Sequence, residues 1–205
     1  MTARSLLDAP ERHPIRPPDA VRRLGRTVVL APHPDDESLG CGGLLALLAQ
    51  AGCQPHVVVV TDGAQSHPGS AAYPPARLRA LREEEAREAA RHLGCTIGFL
   101  RQPDCGLPSP GHPAFDGVAR RLAEAISEHD PDTLVVPWRR DPHCDHEATA
   151  EIARRAARRT GARLLFYPVW SGWHDPGYRA RLPEHVEHRF DTVPARVAEP
   201  RAIAA

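Results

Sequence analysis

Two short stretches hold the side chains best able to do chemistry. His33, Asp35, Asp36 and Glu37 crowd into HPDDE, and Asp141, His143, Asp145, His146 and Glu147 into DPHCDHE. Imidazoles beside carboxylates form a donor set for a divalent cation, and borderline nitrogen with hard oxygen suits zinc. Two histidines, one carboxylate and a position left for water make a catalytic zinc set. The remaining acids and imidazoles can then serve as acid and base.

Each stretch follows an apolar run that must position it. Thr27–Ala31 (TVVLA), bounded by Pro32, and Thr133–Pro137 (TLVVP) read as strands, as do His56–Thr61 (HVVVVT), about 96–100 and Arg163–Tyr167. A last strand is expected at about 186–190. Continuously apolar strands of this kind belong to parallel sheets buried on both faces. Helices are expected between them. The first runs over about 40–51, opened by a tight turn at Gly40, Gly42 and Gly43 and closed by Gly52. The second runs from Pro74–Pro75 to Leu93, with Leu78, Leu81, Ala89 and Leu93 along one side. A third carries Phe115, Val118, Leu122 and Ile126, and a fourth spans about 146–159. The alternation predicts an α/β protein: a Rossmann-like, doubly wound, mostly parallel sheet with helices on both faces. Loops that leave parallel strands open at their carboxyl edge. If the first and fourth strands flank the switch point, HPDDE and DPHCDHE share one crevice.

Composition narrows the classes. The 205 residues are 41% hydrophobic and 25% charged, which fits one globular domain. Net charge is zero, so nothing draws the chain to nucleic acid or an acidic membrane. All 26 basic residues are Arg and Asn is absent, a bias expected of a high-GC bacterial genome. The five cysteines (Cys41, Cys53, Cys95, Cys105 and Cys144) are odd in number and contain no C-x-x-C pair. Free thiols and a cytoplasmic location are therefore expected. Residues 1–23 read as an irregular arm without the apolar core of a signal peptide, and 24–205 as a single domain. No apolar run approaches the ~20 residues of a membrane span.

HPDDE after an apolar strand, with HCDH at 143–146, resembles the PIG-L/LmbE family of zinc-dependent N-deacetylases, which remove acetyl groups from N-acetylglucosaminyl compounds and related amino sugars. TDG at 61–63, LREEE at 81–85 and PDCG at 103–106 extend the resemblance over roughly 26–170. It implies His33, Asp36 and His146 as ligands of a zinc ion, with iron(II) the other candidate native metal. It further implies Asp35 as general base and His143 as oxyanion stabiliser or acid. Asp145 would orient an imidazole, and Arg82 and Asp104 would contact the sugar. The implied partner is a small N-acetyl amino sugar or glycoconjugate; the sequence does not set the oligomeric state.

Simpler roles compete for several of these residues. Asp145 could cap the fourth helix, Arg82 could pair with Glu85 three positions on, and Asp62 could be a turn residue. Trp170 and Trp173 could stack on a sugar or pack as core. A metal amidohydrolase of another small amide and a non-catalytic metal- or sugar-binding domain are the competing functions. The presence of Asp35 and His143 beside three ligands speaks against the second. The chain departs from the family pattern at Cys144, where Pro is usual, in its short loops, and at PRAIAA, where a last helix would be starting.

Overall fold

The computed structural model describes residues 16–170. The apolar runs become five strands: β1 (Thr27–Ala31), β2 (His56–Thr61), β3 (Thr96–Gln102), β4 (Thr133–Pro137) and β5 (Arg163–Tyr167). They form one sheet in the order β3-β2-β1-β4-β5, and every neighbouring pair is parallel. The chain winds outward from β1 to β3, then returns to lay β4 along the free side of β1. Val28 lies opposite Leu134 and Val29 opposite Val135. The reversal of winding falls between β1 and β4, as expected.

Among the described residues four α-helices cover the sheet: α1 (Asp36–Gln50), α2 (Pro75–Leu93), α3 (Phe115–Ser127) and α4 (Cys144–Thr160). Successive strand residues face opposite ways. Val29, Ala31, Val57 and Val59 pack with Leu45 and Leu48 of α1 and Leu93 of α2. Val28, Leu30, Val58 and Val60 pack with Leu122 and Ile126 of α3 and Ile152 of α4. The doubly wound α/β expectation holds.

Several local expectations do not hold. α1 starts at Asp36 rather than near residue 40. Asp36 and Glu37 occupy its first turn, where the helix dipole favours acids, and Ser38 and Leu39 each donate to Asp35 O at 2.9 Å. The glycines therefore lie inside the helix and do not open it. A Cβ at Gly40 would overlap the ring of Tyr167, so this glycine permits close approach to the end of β5. Tyr167 in turn donates from its hydroxyl to Leu30 O at 2.7 Å.

On α2, Leu81 is 41% exposed. At 3.6 residues per turn, Leu78, Ala86, Ala89, Ala90 and Leu93 share the buried face, and Leu81 falls beyond its edge. β3 runs two residues past its expected end and α4 starts two residues early. The end of the supposed irregular arm, Pro18–Leu24, is a 3-10 helix that buries Val21 and Leu24 in the core. Leu24 O also accepts from the Thr133 hydroxyl at 2.6 Å. Residues 1–15, the strand expected at 186–190 and Trp173 lie outside the described residues. No helix among the described residues is long and apolar enough to cross a membrane.

Gly40→Ala is expected to destabilise the fold by about 1–3 kcal/mol through overpacking against Tyr167. Gly117→Ala is the control. Nothing lies within 4 Å of a Cβ there, so it should be neutral or stabilising by up to about 1 kcal/mol. Urea unfolding midpoints of the two variants check both expectations.

Candidate metal centre

The loop after β1 carries His33 and delivers Asp36 into the first turn of α1. The loop after β4 carries Asp141 and His143 and delivers Asp145 and His146 into the first turn of α4. At the crossing point, Asp36 Oδ2 lies 3.1 Å from His33 Nδ1 and 3.2 Å from His146 Nε2. Asp36 Oδ2 also accepts the His33 backbone N–H at 3.0 Å. His146 is fully buried, yet its Nε2 makes no hydrogen bond. A buried ring nitrogen without a partner is costly unless something else claims its lone pair. Two ligands of one tetrahedral zinc sit ~3.3 Å apart at ordinary Zn–N and Zn–O lengths. The spacing and the orphaned nitrogen both fit a cation held by His33, Asp36 and His146. His143 adjoins them, with ring nitrogens of His33, His143 and His146 all within 4.8 Å of one another.

A second ring of carboxylates holds these imidazoles. His33 Nε2 lies 3.2 Å from Asp145 Oδ2 and 3.3 Å from Asp104 Oδ1. Asp145 also accepts the backbone N–H groups of Cys105 at 2.7 Å and Leu107 at 3.3 Å, which ties the loop after β3 to α4. Asp145 thus joins His33 to the loop after β3. The competing capping position belongs to His143, whose Nδ1 accepts the Asp145 N–H at 3.2 Å.

Asp141 was legible only as one donor among several in its loop. It is fully buried, lies 2.8 Å from His146 Nδ1 through Oδ2, and accepts the Val169 and Trp170 N–H groups at 3.1 Å each. The available signal was general: a ligating histidine usually gives its other nitrogen to a carboxylate. Glu37 is also fully buried. It accepts from Asp35 N at 3.0 Å and from Ser38 Oγ at 2.8 Å.

Asp35 stands at the mouth with its side chain 53% exposed. It occupies the N-cap position of α1 but makes no capping hydrogen bond, and its φ of 136° is one that side-chain-bearing residues rarely adopt. Arg82 meets its carboxylate at 2.9 Å and also donates to Pro34 O at 2.6 Å and Gly63 O at 3.1 Å. Among the described residues the Arg82–Glu85 pair does not form. Asp104 accepts from Gln65 N at 2.8 Å and turns its other oxygen to His33, with its side chain only 5% exposed. Asp62 accepts from Ala64 N and Asp104 N, each at 3.2 Å, as a turn residue would. Trp170 is 39% exposed.

The acids dominate the local field. Burial alone would lower the His33 pKa, but Asp104, Asp145 and Asp36 push it up to about 12. Burial likewise opposes charge on His146, and Asp141 with Asp36 push it up to about 9. Desolvation would raise Asp36, yet the facing imidazoles of His146 and His33 hold it well below the usual carboxylate range. Burial pushes Glu37 up to about 7. Desolvation, helped by His33 and His146, lowers His143. Desolvation and the neighbouring Asp36 raise Asp35, while Arg82 and His33 pull it back. These carboxylates call for positive charge between the two ligand-bearing loops, whether from protons or a divalent cation.

A profile of the family described as PIG-L: GlcNAc-PI de-N-acetylase matches residues 28–157. Among curated proteins, 2'-N-acetylparomamine deacetylase of Streptomyces fradiae is 31% identical over 158 residues. That match covers 71% of this chain and 57% of the relative, so the chain spans little more than half of its length. Among solved structures, a deacetylase of the teicoplanin biosynthesis pathway superposes with a TM-score of 0.68 at 25% identity, over 87% of this chain and 82% of that one. The 4-carboxy-2-hydroxymuconate hydratase of Pseudomonas putida KT2440 superposes with a TM-score of 0.56 at 24% identity, over 65% of this chain and 56% of the other. That last likeness is one of fold alone.

Asp141→Asn keeps the size of the side chain but weakens its hold on His146 Nδ1. It is expected to lower divalent-metal affinity by about 10–100-fold. Competition with a chelator of known affinity measures the change.

Proposed function

The chain belongs to the PIG-L family, and from that premise we propose that it is a metal-dependent hydrolase that removes the acetyl group from the amide nitrogen of an N-acetyl amino sugar or glycoconjugate. The observation that carries this reading is the convergence of His33, Asp36 and His146 on one point, with Asp35 and His143 beside it. The family's GlcNAc-PI description and the relative that acts on 2'-N-acetylparomamine support the substrate class. The odd count of five cysteines, with no C-x-x-C pair, favours a reducing, cytoplasmic setting.

The donor set favours zinc, which supplies Lewis acidity when bound, polarising an amide carbonyl and making a water easier to deprotonate. Asp35 accepts the proton as that water attacks the amide carbon. Arg82 holds the Asp35 carboxylate in place from the side of α2. The carbonyl oxygen gains negative charge as the carbon becomes tetrahedral. Because Nδ1 of His143 accepts the Asp145 N–H, the ring carries its proton on Nε2 and can donate a hydrogen bond to that oxygen, keeping the proton. Asp35 then returns its proton to the departing nitrogen, the C–N bond breaks, and acetate and a free amine result. Arg82 and Asp104 were expected to touch the sugar. Both are engaged first with protein groups, Arg82 with Asp35 and Asp104 with His33, and we assign them as positioning residues.

Metal content by mass spectrometry and acetate release from a panel of N-acetylglucosamine conjugates test the proposal. Wild type should hold about one equivalent of metal at this site, and His146→Ala should lose it. Asp35→Asn should keep the metal and lower kcat by about 10²–10⁴-fold. Undiminished acetate release by Asp35→Asn overturns its role as base. A fully metallated wild type that releases acetate from none of the panel overturns the reaction class.

A further inference from the structure

A second donor cluster sits beside the first. The thiols of Cys105 and Cys144 and a ring nitrogen of His143 all lie within 4.8 Å of one another. Cys105 belongs to the loop after β3 and Cys144 is the first residue of α4. Both thiols are free and exposed, and neither belongs to the set formed by His33, Asp36 and His146.

We propose that Cys105, Cys144 and His143 form a second metal site, selective for a thiophilic divalent cation such as zinc or cadmium. Two thiolates and an imidazole are a three-ligand set with a fourth position open. Soft sulfur selects such cations over magnesium or calcium. Ligand atoms of one zinc with two sulfurs sit ~3.5–3.8 Å apart, so the cluster has to close by at most about 1 Å. Both thiols lie on exposed side chains, and rotamer changes supply that much. On binding, the two thiol protons leave to solvent.

The surroundings separate this reading from a redox pair. Desolvation, with the carboxylates of Asp104 and Asp145, pushes the Cys105 thiol up to about 11. A free thiolate is disfavoured there, so nucleophilic disulfide chemistry is slow. The same carboxylates attract a cation, which can displace the thiol protons directly.

Occupancy has a consequence for His143. Its Nδ1 accepts the Asp145 N–H at 3.2 Å. Through Nε2 His143 loses the proton it would donate; through Nδ1 it keeps that proton but loses the Asp145 N–H that orients the ring, and in both cases the cation inhibits. This consequence rests on the proposed deacetylase mechanism; the site itself does not.

Enzyme loaded with one equivalent of zinc is titrated with Co²⁺ in the near ultraviolet. Sulfur-to-cobalt charge transfer reports thiolate ligation, and a site of histidine and aspartate gives none. The expected result is a band that saturates at about one further equivalent and is absent from the Cys105→Ser, Cys144→Ser double variant. Excess zinc should inhibit wild type at least tenfold more strongly than that variant. Alkylation of wild type by iodoacetamide, read by peptide mass spectrometry, needs no variant: zinc should protect Cys105 and Cys144 together. No band in wild type, a band that survives in the double variant, or alkylation unaffected by zinc overturns the site. Equal zinc inhibition of the two proteins overturns the consequence for His143. A wild type that deacetylates but shows no band sinks this site alone. One that shows the band but releases no acetate sinks the reaction class and leaves the site standing.

Discussion

The parallel ladder between β1 and β4 pairs Val28 with Leu134 and Val29 with Val135, and so the loops leaving these two strands open on the same edge of the sheet. Every distance in the candidate site descends from that pairing. His33 and Asp145 are 112 positions apart in the chain, yet their side chains lie 3.2 Å apart. The ladder is itself imposed by burial. TVVLA and TLVVP are covered on both sides, and a one-residue slip would exchange the residues facing α1 and α2 with those facing α3 and α4.

Once the loops meet, charge becomes the constraint. Asp36, Asp141 and Asp145 are buried together, with Asp104 almost so. Carboxylates are rarely buried unless paired or coordinated to a metal. Here the paired groups are imidazoles, each set between acids: His33 between Asp36 and the Asp104–Asp145 pair, His146 between Asp36 and Asp141. Such an arrangement adds little to stability, since desolvation offsets most of the attraction. Its physical use is to fix ring orientation and to concentrate negative potential where a cation is wanted. The thiols of Cys105 and Cys144 stand in the fringe of the same field.

The layout of the sheet was legible because apolar runs have few alternatives: β1, β2, β4 and β5 fall where TVVLA, HVVVVT, TLVVP and RLLFY place them. The two donor-rich loops were legible because no core accommodates such clusters for packing alone. The start of α1 was not, because two local signals disagreed. Gly40, Gly42 and Gly43 argue for a turn, whereas Asp36 and Glu37 argue for a first helical turn. Close approach to Tyr167, a tertiary contact, decides that the glycines are helical. Leu81 misled because a leucine at helical spacing reads as core, while the actual face is filled by alanines. Asp141 was visible as a donor and invisible as a partner, since nothing in DPHCDHE says which acid reaches the far side of His146.

Asp35 shows why local rules fail where they do. By position it should cap α1, and an acid there is favoured. Its carboxylate instead faces the mouth, and its backbone sits at a φ of 136°, a region that costs on the order of 1–3 kcal/mol for a residue with a Cβ. Four contacts hold it there: Glu37 takes its N–H, Ser38 and Leu39 each donate to its carbonyl, and Arg82 fixes its carboxylate. Glu37 is in turn a fully buried acid, a further cost that the helix alone does not require. Packing of α1 does not call for this combination, because a capping Ser or Asn in an ordinary extended conformation would serve it better. What the strained backbone achieves is placement: it holds Asp35 at the mouth while the next residue, Asp36, points inward to both imidazoles. Two adjacent carboxylates are thereby given different surroundings, one half-exposed at the mouth beside an arginine, the other buried between histidines. That division matches the different roles proposed for them, base for Asp35 and metal ligand for Asp36.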